Sequence, residues 1–237
     1  MISKKIINDR IDKFLWYWDI KTDIWFVWME EWFWGTIEEL EIRLKSTKSK
    51  NIIDVYHDMV NVPDHIKRFI PNAPIQRTLS KLILIYLTLK WKNIISNEDI
   101  RETQTNIFGR INSDTCNLEL MPLPCRSVNE KDWIYKDFNI PWLWSRKEYI
   151  ERFMPQRICL FQKLIHEKKP KIVIFYSFSY RDKRDLIIWK PTKKINNLFF
   201  YRNSHTNFFI IPHPAAHWLT KKDWYKIAED IKYISKQ

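Results

Sequence analysis

Two acidic residues side by side, Glu30 and Glu31, end a run of apolar residues near the start of the chain. A histidine, His213, ends another such run near its close and is followed by Pro214-Ala-Ala-His. A carboxylate can orient a water or stabilise a cationic centre. An imidazole can donate a hydrogen bond to an oxygen that gains negative charge. Together they suit hydrolysis with an anionic leaving group. The plainer readings are two solvated loop acids at a helix start and a histidine that braces a turn.

The elements that would hold these groups can be read from pattern. Ile24-Trp-Phe-Val reads as a buried strand over 24–28, with an acidic loop after it. Thr36 then caps a helix over 36–46, with Glu39 three residues on as a capping box. A second strand, Thr115-Cys-Asn-Leu-Glu-Leu-Met, runs into a loop stiffened by Pro122 and Pro124. A third covers 171–176 and precedes Ser177. A fourth covers 207–212 and precedes His213. Helices are expected over 3–18, Arg77–Lys90 and 155–168, with another starting near Asn97 or Glu98. A short helical patch is expected at Ile52–Met59. A last helix, 220–234, has Thr220 as N-cap and Asp223 at the third position. Continuous apolar strands that alternate with helices indicate a parallel sheet covered on both faces. The expected fold is α/β: a three-layer α/β/α sandwich with a central four-stranded parallel sheet, one domain over 1–237.

The totals narrow the function. No apolar run approaches the roughly 18 residues of a membrane span, and the N-terminus does not read as a signal peptide. A cytoplasmic protein is expected. Cys116, Cys125 and Cys159 are odd in number and lack a C-x-x-C pair, so buried reduced thiols are expected rather than disulfides or a metal site. A net charge of +12 favours nucleic acid as partner, although AT-rich coding would also enrich lysine. His57 and His65 read as surface or satisfied histidines rather than ligands.

Glycine is scarce. Average usage predicts roughly 17 in a chain of this length. There are 2, against 13 tryptophans. Strand-to-helix turns need glycine where φ is positive or backbones approach closely, and tryptophan supplies neither. We expect Trp28, Trp32, Trp34 and Trp218 to stand at glycine positions, as a UGA codon read as tryptophan instead of glycine would produce. A UGG codon at these positions would contradict this.

The order of these stretches resembles the uracil-DNA glycosylase superfamily, and within it a little-studied bacterial branch. Trp28-Met-Glu-Glu-Trp stands in the place of that superfamily's first motif, Cys116-Asn-Leu-Glu-Leu-Met-Pro-Leu-Pro in that of its central strand and proline loop, and His213-Pro-Ala-Ala in that of its second motif. The likeness runs from about residue 23 to 231, and it implies glycine at Trp28, Trp32, Trp34 and Trp218, with Trp189 as another case and Trp133 and Trp224 as genuine tryptophans. Individual motifs are short; their order, each after an expected strand, makes the match specific. Departures are a Glu at position 30, where Asp or Asn is usual, and Glu31 in place of proline. The resemblance implies cleavage of the N-glycosidic bond of uracil or another damaged base in DNA, in base excision repair, with no cofactor and no metal. It implies Glu30, His213 and Glu31 as catalytic groups. Asn117, Phe33, Trp28 and Met29 would hold the base, with Phe33 as a stacking face. Pro122, Pro124, Arg126, Ser127, Ser177, Pro214, Lys221 and Lys222 would contact DNA. A monomer acting on single- or double-stranded DNA is expected. Two other readings stay open: a catalytically inactive nucleic-acid-binding member of the same fold, and a small-molecule hydrolase using Glu30 and His213.

Overall fold

The computed structural model describes all residues other than 1, 15, 18–19, 34, 47–51, 58–59, 63–64, 91, 93, 111–112 and 191, and only the backbone of 16, 17, 52 and 53. Trp34, Met59 and the expected breaker Pro63 lie outside the described residues. The chain is mixed α/β. Helices α1 (Lys4–Lys13), α2 (Ile37–Lys45), α3 (Arg77–Leu89), α4 (Asn97–Asn106), α5 (Arg146–Lys168), α6 (Arg181–Ile187) and α7 (Lys221–Lys236) surround one sheet. Its strands are β1 (Trp16–Tyr17), β2 (Ile24–Trp32), β3 (Ile52–Ile53), β4 (Thr115–Cys125), β5 (Ile172–Tyr176), β6 (Lys193–Ile195), β7 (Leu198–Arg202) and β8 (Asn207–Ile211).

The sheet is larger than expected and mixed. Its order is β3-β1-β4-β2-β5-β8-β7-β6. β4, β2, β5 and β8 pair in parallel. β1 runs antiparallel to β4, and β7 antiparallel to β8. The chain leaves β2 for β4 on one side, then returns across β2 to β5 on the other. Right-handed crossovers in opposite directions put their helices on opposite faces. One apolar cluster packs α1, α2, α5 and α6 on the face bearing Trp25, Val27, Leu118 and Val173. The other packs α3, α4 and α7 on the face bearing Phe26, Ile174 and Phe209.

Local chemistry explains the boundaries. Thr220 accepts from the Asp223 N–H while Asp223 accepts from the Thr220 N–H, so α7 begins with a full capping box. Thr36 caps α2, but Glu39 turns to Arg43 instead of closing the box. α5 starts nine residues before the expected point: Ser145 caps it through the Glu148 N–H, and Pro155 lies inside the helix. Residues 52–57 are a two-residue strand and a turn, not a helical patch. Cys116 and Cys125 are buried, but Cys159 is exposed, against expectation. No helix among the described residues is long and apolar enough to cross a membrane.

Candidate functional site at the carboxyl ends of the parallel strands

In open α/β sheets a ligand binds outside the carboxyl ends of the strands, where the chain reverses its direction of travel across the sheet. Here that point is the carboxyl end of β2, between β4 and β5. Glu30 stands two residues before the end of β2, Ser177 directly follows β5, and His213 follows β8 by two residues. Ser177 holds a positive φ of 80°, a strained conformation for a residue with a side chain. Its carbonyl is clamped by Arg184.

Glu30 belongs to the strand rather than to an acidic loop. It is buried, and Oε1 accepts from Arg146 Nη2 at 2.6 Å. Arg146 also donates to the Tyr180 hydroxyl at 2.9 Å. Oε2 is buried with no hydrogen-bond partner among the described residues. Burial raises the Glu30 pKa above the ordinary carboxylate range, and the Arg146 charge offsets part of that rise. The site thus carries a desolvated carboxyl group with one oxygen anchored and one uncommitted.

His213 is half-buried. The Ala215 N–H donates to its Nδ1 at 3.0 Å, which leaves the ring proton on Nε2. Burial and the nearby Arg184 charge lower its pKa, so the ring is a neutral donor. The Trp28 ring meets His213 edge-on at 4.7 Å and Tyr176 at 4.3 Å. Asn117 lies on β4 beside Phe26, with a buried Oδ1 that has no partner among the described residues.

Other expected site residues are committed elsewhere. Glu31 points to the opposite face, where Arg10 at 2.9 Å and Arg43 take its two oxygens. Its expected catalytic part gives way to an ion-pair cluster between α1 and α2. Met29 and Phe33 are buried in the same core, so neither offers a face to a ligand. Pro122 and Pro124 are buried within β4 rather than in a loop, and their carbonyls accept from Arg10 and Tyr135. Arg126 bonds the Gly35 carbonyl, and Ser127 bonds Asp132. Pro214 is buried. Lys221 and Lys222 are exposed at the start of α7.

Sequence reasoning missed Arg146, Tyr176 and Tyr180. The spacing Ser145-Arg-Lys-Glu148 is itself a helix-start signature, and it would have placed Arg146 at the first turn of α5. No known protein family and no curated protein matches this chain.

Proposed function

We propose that this protein is a DNA glycosylase-like hydrolase that cleaves the N-glycosidic bond of uracil or another damaged base. The observation that carries the reading is the buried Glu30 carboxyl group with a free Oε2, set at the reversal point of the sheet. Loss of a base leaves positive charge on the sugar and negative charge on the base. Glu30, as a carboxylate, orients a water or stabilises the oxocarbenium ion. Neutral His213 donates from Nε2 to the base oxygen as charge grows there. Arg146 and Tyr180 position Glu30. Lys221 and Lys222 and the overall charge of +12 favour the DNA backbone. We read the four strands β4, β2, β5 and β8 as the parallel centre of a three-layer sandwich, and the protein as a cytoplasmic monomer without cofactor.

One observation favours a second reading. With Trp28 against Tyr176 and His213, the floor of the site is filled. A chain with tryptophan at 28 would then bind nucleic acid without releasing a base.

Incubation with uracil-containing DNA, with free uracil measured, tests the first reading. Release by a Trp28→Gly chain that Glu30→Gln abolishes supports it. Salt-sensitive DNA binding without release of uracil or of other damaged bases leaves the second.

A further inference from the structure

Trp28 stands among polar groups that have nothing to bond. It registers beside Glu119 across the β2–β4 pair. Registered residues of a parallel pair share a face, as do residues two apart on one strand. Asn117, Glu119, Trp28 and Glu30 therefore share one face. Oδ1 of Asn117, Oε2 of Glu119 and Oε2 of Glu30 are buried with no hydrogen-bond partner among the described residues. A folded domain keeps few such atoms, and three flank this one indole. Tyr176 bounds it on the β5 side.

We propose that the Trp28 indole fills a ligand cavity which the working protein keeps open with glycine at position 28, and that Glu119, beside Asn117, selects the occupant, a flat heterocycle bearing an amide or amidine edge. The identity of the occupant, a nucleobase turned out of DNA, rests on the glycosylase reading. Glu119 is 8% exposed, and burial, with the Glu31 and Glu30 charges outweighing Arg10 and Arg157, raises its pKa well above the ordinary value. A neutral carboxyl group donates one hydrogen bond and accepts one. That pattern matches an N–H beside a carbonyl, or a ring nitrogen beside an amino group. Trp189, with a φ of 57°, is the tryptophan among the described residues whose backbone itself favours glycine; at Trp28 the argument rests on the unpartnered polar atoms around the indole.

The test measures binding of free uracil, hypoxanthine and adenine to the parent chain and to Trp28→Gly and Trp28→Ala. The alanine variant keeps a Cβ in the strand in case the glycine variant does not fold. We expect no binding by the parent chain and binding of at least one base by the variants. Adding Glu119→Leu should weaken that binding tenfold or more, and Glu119→Gln should restore it to within a few-fold. Failure of all three bases to bind a folded Trp28→Ala chain would overturn the inference. So would equal affinity with Glu119→Leu. Binding needs no bond cleavage. A variant that binds a base but releases none from DNA keeps the cavity and loses the glycosylase reading.

Discussion

Glu30 carries its chemistry because two influences on it oppose one another. Burial favours the neutral acid, and Arg146 favours the carboxylate. In the proposed reaction, base release needs the ionised form. It should therefore fall as pH drops through a value above the ordinary 4.5. Arg146→Met removes the offset and should move that limb to higher pH. A pH–rate profile of both chains reads this directly, and an unmoved limb would show that Glu30 is not the titrating group. His65 offers a second, structural titration. It is buried with Nε2 at 2.9 Å from the Val55 carbonyl, and burial lowers its pKa from 6.5 to about 4. Between those values the unfolded chain holds the proton and the folded chain does not. Stability should thus be intact above pH 6.5 and fall as pH drops towards 4, by about 3 kcal/mol if fully expressed. His65→Phe should flatten the dependence of melting temperature on pH across this window.

At the scale of elements, the end of α6 is the most telling. Trp189 follows its C-cap with φ 57° and is 60% exposed. A helix that ends in the left-handed conformation favours glycine there. Trp189→Gly should relieve about 1 kcal/mol of backbone strain and raise the melting temperature by about 2–4 °C. Trp133→Gly should do the opposite. Trp133 is fully buried, stacks on Tyr149 at 5.2 Å and donates to the Leu143 carbonyl. Its loss should cost about 3–5 kcal/mol. The two melting curves together separate a tryptophan at a glycine position from one that holds the core. Much of the element pattern was legible in sequence. The strands at 24, 171 and 207 announced themselves as continuous apolar runs, the one at 115 as apolar residues broken by Asn117 and Glu119, and Thr220 with Asp223 announced α7. What was not legible had no such period. β1 and β3 are two residues each, β6 carries two lysines, and α6 is too short for a stripe. Of the candidate site, His213 is marked by its position after a strand and Glu30 by the apolar run it closes, but strand alternation, not composition, turns Glu31 and Met29 to the other face. Arg146 reaches Glu30 only through packing of α5.

For the whole molecule, the sheet order matters more than any single contact. Reversal at β2 sets Glu30 between β4 and β5, at the point where open α/β sheets take their ligands, and no sequence pattern describes it. The net charge of +12 acts over the same scale. If the chain tracks phosphates, its affinity for DNA should fall by about 10³-fold between 50 and 200 mM salt for six neutralised phosphates. A titration at several salt concentrations measures the slope, and an affinity indifferent to salt would remove DNA as the partner. The proposal stands or falls on whether Glu30, at that reversal point, drives release of a base. Its most direct measurement is single-turnover release of uracil from DNA by the Trp28→Gly chain, with and without Glu30→Gln. Release should fall by about 10²-fold or more with glutamine. Equal release by the two chains, both folded, would contradict it.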